Sequence, residues 1–144
     1  MLVHQILKNK ADDGVVTVPR GTPVSEVTKI LAKRQIGTVV ISDDGSLAEG
    51  ILSERDIVRE LAKTGASCLN KPAETYMTSQ LVTAARNDSA DHVLTKMTEG
   101  RFRHMPVVEE GKLVGLITLG DVVKARLSEL AMEKEALEGM IMGH

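Results

Sequence analysis

Gly50-Ile51-Leu52-Ser53-Glu54-Arg55-Asp56-Ile57-Val58 and Gly115-Leu116-Ile117-Thr118-Leu119-Gly120-Asp121-Val122-Val123 are two copies of one pattern. Each copy runs from a glycine through two apolar residues to a hydroxyl residue, two variable positions and an aspartate. Apolar residues followed by Ser or Thr, with an acid three positions on, read as a strand passing into a helix near Ser53 or Thr118. In that setting the hydroxyl and the carboxylate can satisfy the free N–H groups of the first turn, as in a capping box.

Matching continues outward from both copies. Val39-Val40-Ile41-Ser42-Asp43-Asp44-Gly45 answers Pro106-Val107-Val108-Glu109-Glu110-Gly111. Thr22-Pro23-Val24-Ser25-Glu26-Val27 answers Asp88-Ser89-Ala90-Asp91-His92-Val93, and Val16-Thr17-Val18 answers Val82-Thr83-Ala84. Four blocks in the same order, offset by 65 to 67 residues, make an internal repeat. Each repeat reads as a short strand (15–18; 81–84), a helix with apolar positions at 24, 27, 30 and 31 or at 90, 93, 94 and 97, a strand, a turn at Asp44-Gly45 or Glu110-Gly111, a second strand and a closing helix. Thr22 is expected to cap the first helix, with Pro23 at its first position.

The fold class is therefore α/β (α+β), with tandem β-α-β-β-α repeats. The expected organisation is an N-terminal segment 1–14, a first repeat 15–64, a polar linker 65–80, a second repeat 81–126 and a tail 127–144. Val123, Leu127, Leu130, Leu137 and Ile141 predict one long amphipathic helix from about Asp121 to Met140. Such a seam packs either on the protein's own body or on a second subunit.

Composition narrows the function. Charged residues make up 26% and the formal net charge is −2, so there is no basic face of the kind nucleic-acid binding leaves. Aromatics are 1%, Tyr76 and Phe102, too few for base-stacking platforms. One cysteine, Cys68, excludes an intramolecular disulfide and fits a reducing, cytoplasmic compartment. No signal peptide and no run near the ~18 apolar residues of a membrane span is visible. No Walker lysine motif or nucleophile constellation appears, and His4, His92 and His144 show no metal-ligand spacing. Catalysis and a catalytic cofactor are not expected.

The repeated blocks resemble the CBS domain family, named after cystathionine β-synthase, from about Val15 to Val123. The layout is similar to small bacterial proteins made of a CBS pair. The resemblance implies two repeats packed about a pseudo-two-fold axis, with clefts at their junction that take AMP, ADP, ATP, NAD(H) or S-adenosylmethionine. It implies a non-catalytic sensor of energy or redox state, a homodimer, and action on a separate, unidentified protein. A structural or dimerisation module with degenerate clefts is the alternative.

The site residues follow from chemistry and resemblance together. Asp56 and Asp121 each present a carboxylate that can hold both hydroxyls of a ribose, beside their capping reading. Ser53 and Thr118 stand at a helix N-terminus, which suits phosphate. By resemblance, Arg103 and His104 border the Asp121 cleft and meet phosphate, beside the plainer reading of Arg101 to His104 as a solvated turn. The corresponding place in the first repeat, Ile36-Gly37, carries no charge. Arg55 partly compensates there, and its counterpart is Gly120. Thr22 resembles a position reaching the Asp121 cleft, whereas its counterpart Asp88 would repel phosphate. Ile36, Met105 and Pro106 are candidates for the adenine slot, beside plain core packing. Unequal clefts are expected, the Asp121 cleft being the better equipped.

Overall fold

The structure, a computed structural model, describes residues 1–10 and 15–142. His144 and residues 11–14 of the expected N-terminal segment lie outside the described residues. The elements are α1 (Val3–Asn9), β1 (Thr17–Val18), α2 (Val24–Arg34), β2 (Thr38–Ile41), β3 (Gly50–Ser53), α3 (Glu54–Thr64), α4 (Ala90–Gly100), β4 (His104–Glu109), β5 (Lys112–Thr118) and α5 (Leu119–Ile141). Two 3-10 helices, Gly65–Asn70 and Ala73–Thr75, lie between α3 and α4.

Two compact units form, and neither is continuous in sequence. One collects the described residues of 15–82 and 108–114; the other collects 1–10, 83–107 and 115–142. In the first, β1 runs parallel to β2, with Thr17 opposite Val40, and β2 runs antiparallel to β3, with Val39 opposite Leu52. Every residue of β2 is buried, as the unbroken apolar run Val39-Val40-Ile41 requires. Helix α2 turns Val24, Val27 and Leu31 inward, the 3-4 spacing of one helical face, onto Val39, Ile41 and Leu52. Burying each such side chain contributes roughly 1.5–3 kcal/mol.

The helix of the other unit follows the same pattern. Ala90, Val93 and Met97 are the buried face of α4, and β4 pairs with β5. Helix α1 belongs here: Val3 N–H donates to Asp88 O at 2.9 Å and Ala90 N–H to Met1 O at 2.9 Å. Helices α2 and α4 end alike, on a non-glycine residue in the left-handed region, Gln35 (φ 53°) and Arg101 (φ 57°).

Two local expectations are corrected, and the linker and the tail helix take definite form. Pro23, not Thr22, is the N-cap of α2, and the Thr22 hydroxyl donates instead to Pro19 O at 2.7 Å. The strand expected over 81–84 reduces to one parallel bridge, Ala84 to Val107, because Val82 and Thr83 are exposed and give a strand nothing to bury. The polar stretch 65–80 is structured. Ala73 and Cys68 are buried, Ala73 N–H donates to Thr22 O at 2.7 Å, and Thr78 exchanges both backbone hydrogen bonds with Ile51 at 2.8 and 3.0 Å. The seam of α5 does not pack on the body. Only Val122 and Ala125 are buried along the helix, while Leu127, Leu137 and Ile141 are exposed by 63%, 60% and 85%.

The two hairpin turns differ. Between β4 and β5 lie two residues, Glu110 (φ 50°) and Gly111 (φ 77°), both left-handed as a tight type I′ turn demands. The loop between β2 and β3 is longer and is organised by Asp44, whose Oδ1 accepts from the N–H groups of Ser46 and Leu47 at 2.9 Å each. Those backbone N–H groups hold the Asp44 carboxyl at about 2, below its ordinary 3.8.

Candidate functional site

The signature segments form the same local structure twice. In the first unit, Ser53 is the N-cap of α3: its Oγ accepts from Asp56 N–H at 3.2 Å, and Ser53 N–H donates to Asp56 Oδ2 at 2.9 Å. In the second unit, Thr118 Oγ1 accepts from Asp121 N–H at 3.1 Å, and Thr118 N–H donates to Asp121 Oδ2 at 2.9 Å. Both are reciprocal capping boxes, so the capping reading of these residues is a structural fact.

A second backbone contact repeats as well. Glu54 N–H donates to Gly37 O at 2.9 Å, and Leu119 N–H donates to Arg103 O at 2.8 Å. Each strap ties the residue before a central strand to the helix start that carries the aspartate. Gly37 is thereby placed beside Ser53 and Asp56, and Arg103 beside Thr118 and Asp121. The signature glycines lie under covering side chains. A Cβ on Gly50 would collide with Met77 and stand 3.0 Å from Thr78 O; one on Gly115 would stand 2.9 Å from a methyl of Leu7.

The sites part company at the carboxylates. Asp56 takes a hydrogen bond from its own Ser53 hydroxyl at 2.9 Å and an ion pair from Arg59, one turn on, at 3.2 Å. Asp121 is met by Lys10, from the residues that follow α1, at 2.9 Å; the same ammonium donates to Leu116 O at 2.9 Å. The Lys10 and Asp121 side chains are 19% and 21% exposed, whereas Arg59 is 58% exposed. The Lys10 pair is therefore the less screened of the two. Beside it opens a cavity of ≈ 230 Å3 lined by Ile6, Lys10, Asp121, Lys124, Ala125 and Ser128, among others.

The remaining expected site residues distribute as follows. The unit of the first repeat holds Thr22, Ile36, Gly37, Ser53, Arg55 and Asp56; the other holds Arg103, His104, Met105, Pro106, Thr118 and Asp121. Arg55 and Arg103 are exposed. Ile36 packs against the first core, and Met105 and Pro106 are buried. Asp88, expected to repel phosphate, accepts Ala85 N–H at 2.8 Å. Lys10 is the residue that sequence reasoning missed. No local pattern marks it, since its partner lies across most of the chain. Among the described residues no cluster of His, Cys, Asp or Glu could hold a metal ion, and no helix is long and apolar enough to cross a membrane.

The two repeats with matched Ser/Thr-x-x-Asp caps are accompanied by a direct family match. The model of the CBS domain fits residues 7–63 and again 73–128. The chain belongs to the CBS domain family. Among solved CBS proteins, the CBS-domain containing protein ATU1752 from Agrobacterium tumefaciens is 41% identical, with a TM-score of 0.83, over 88% of this chain and 99% of that one. The CBS domain pair of protein MJ0100, in complex with 5′-methylthioadenosine and S-adenosyl-L-methionine, is 28% identical with a TM-score of 0.78, over 90% and 98%. CBS domain protein PAE2072 from Pyrobaculum aerophilum, complexed with AMP, is 28% identical with a TM-score of 0.77, over 92% and 99%. Curated CBS domain-containing proteins of Arabidopsis thaliana match at 30% identity over 85% of this chain, which spans only 22% of their length.

Proposed function

We propose that this CBS pair is a non-catalytic regulatory module. It binds an adenine nucleotide (AMP, ADP, ATP or NAD) at the junction of its repeats, senses energy or redox state, and acts on a separate protein. The carrying observation is the paired Ser53/Asp56 and Thr118/Asp121 caps, each strapped to the backbone of residue 37 or 103. In each, a carboxylate with two acceptor oxygens stands at the positive end of a helix. Ribose hydroxyls suit the former and phosphate the latter. The adenosine ligands of the MJ0100 and PAE2072 domains support the same class of ligand here.

Within this reading Arg103 and His104 meet phosphate in the Asp121 cleft, joined by Thr22. Ile36, Met105 and Pro106 border the adenine, and Arg55 serves the Asp56 cleft. The exposed Leu127, Leu130 and Leu137 of α5 meet a second copy in a homodimer. Light scattering should then give about twice the 15.5 kDa chain mass. The single buried thiol of Cys68 fits the cytoplasm. Ligand binding changes a partner's behaviour only to the extent that the nucleotide distinguishes the module's two states.

Thermal-shift and calorimetric titration with AMP, ADP, ATP, NAD, NADH and S-adenosylmethionine tests the reading. A ligand at 100 times its Kd adds about 2.7 kcal/mol to the folded state. One observation favours the alternative, a structural module with degenerate clefts: both carboxylates already serve as caps and both carry a cation. That alternative stands if none of the six ligands gives heat or a melting shift.

A further inference from the structure

We infer that Lys10 is a latch that sets the ligand class of the Asp121 site, selecting anionic, phosphorylated adenosine ligands over uncharged or cationic ones. This rests on the proposed nucleotide reading and adds a residue to it. The Lys10 ammonium lies 2.9 Å from Asp121 Oδ2 and 2.9 Å from Leu116 O, so it occupies one of the two oxygens that a ribose held through both of its hydroxyls would use. Both side chains are about four-fifths covered, at 19% and 21% exposure, so the pair is not an ordinary solvated one. With the latch closed, the adjoining cavity measures ≈ 230 Å3, below the ~300 Å3 at which small-molecule pockets begin.

A ribose that takes both oxygens of Asp121 displaces the ammonium from Oδ2. The released Lys10 then stands in a cavity whose wall also carries Lys124. Two cations beside one carboxylate are electrostatically unfavourable unless an anion arrives with the ribose. A ligand phosphate supplies that anion and recovers the attraction lost from Asp121, as a charge-assisted hydrogen bond. Adenosine breaks the same ion pair and returns nothing. A sulfonium ligand such as S-adenosylmethionine adds a further positive charge. Asp56 has no such device: its cation, Arg59, sits on the same helix with its side chain 58% exposed.

The test is isothermal titration of AMP, ATP, adenosine and S-adenosylmethionine into wild type, Lys10→Met and Lys10→Gln. Lys8→Met, an exposed lysine in the last turn of α1, is the control. Folding of each variant is checked by circular dichroism and melting. With the latch removed, adenosine binds at least about fivefold more tightly, since even a solvated ion pair is worth up to ~1 kcal/mol and this one is largely covered. The preference for AMP over adenosine shrinks by about tenfold or more, through loss of one charge-assisted contact. Lys8→Met behaves as wild type. Nucleotide binding by wild type with an unchanged AMP-to-adenosine ratio in both Lys10 variants overturns the latch and leaves the nucleotide reading standing. Wild type that binds nothing while Lys10→Met binds adenosine supports the latch and shows why the site looked degenerate. Failure of every protein to bind any of the four overturns both.

Discussion

Asp56 and Asp121 occupy equivalent places in two copies of one motif, and their caps agree to about a tenth of an ångström. Thr118 N–H and Ser53 N–H each donate at 2.9 Å to an Oδ2, and the returning N–H bonds measure 3.1 and 3.2 Å. What surrounds them differs. Asp56 draws its remaining partners from its own helix cap and the next turn, Ser53 and Arg59. Asp121 draws its partner from the N-terminal residues, through Lys10. Arg103 stands by Thr118, where the first repeat has Gly37. Short-range geometry was thus duplicated faithfully, and the charge environment was not. Two sites with one architecture can therefore differ in ligand and affinity.

The largest expected effect tests that difference directly. Asp121→Ala should weaken the tighter AMP-binding event by about ten- to a hundredfold, and Asp56→Ala should leave it largely intact. Both substitutions delete half of a capping box, about 1 kcal/mol each, and Asp121→Ala should cost more because it also strands the largely covered Lys10 ammonium. Calorimetry read beside melting curves separates the two effects. Equal binding losses would erase the asymmetry.

Next come the covered glycines. Gly50→Ala pushes a methyl into Met77 and toward the rigid Thr78 carbonyl, whereas Gly115→Ala meets only the tip of Leu7. Denaturant midpoints should show Gly50→Ala as the worse by a visible margin within the roughly 1–3 kcal/mol range of overpacking. The reverse order would mean that α1 is held more rigidly than Thr78.

Arg103→Ala follows. AMP affinity at the Asp121 site should fall by about tenfold, while adenosine, lacking the phosphate, binds unchanged. An Arg103 variant with normal AMP affinity would return this residue to its plain role as a strap whose carbonyl holds Leu119.

The smallest effect concerns the turns. The Asp44 carboxyl, held at about 2 in the fold, keeps its full stabilising contribution above the ordinary value of 3.8 and loses it as pH falls toward 2. The Glu110-Gly111 turn owes its shape to two positive φ angles instead. Acid titration of stability should therefore be shallower between pH 4 and 2 in Asp44→Asn than in wild type. An unchanged slope would show that the loop stands without the carboxylate.

Most of the architecture is legible in the sequence because it rests on short-range relations. The Ser53/Asp56 and Thr118/Asp121 caps, the buried faces of α2 and α4 and the reach of α5 follow from neighbours one to four residues apart, and the repeat from matching such local patterns along the chain. Where local signals misled, a distant partner decided. The stretch 65–80 looked like a linker because its side chains are polar, yet its backbone pairs with Ile51 and Thr22. The α5 seam reads as a packing face, but among the described residues nothing covers Leu127 or Leu137.

The sequence by itself determined that this is a duplicated CBS unit with two aspartates at two helix starts, since period, capping and turn chemistry are properties of adjacent residues. Only the tertiary structure decided that α1 joins the unit of the second repeat, that Leu7 covers Gly115, and that Lys10 reaches Asp121. Those contacts depend on the path of the chain between residues far apart. Lys10, two residues from the exposed Lys8, becomes distinct only when the fold carries it to a carboxylate and shields the pair from water.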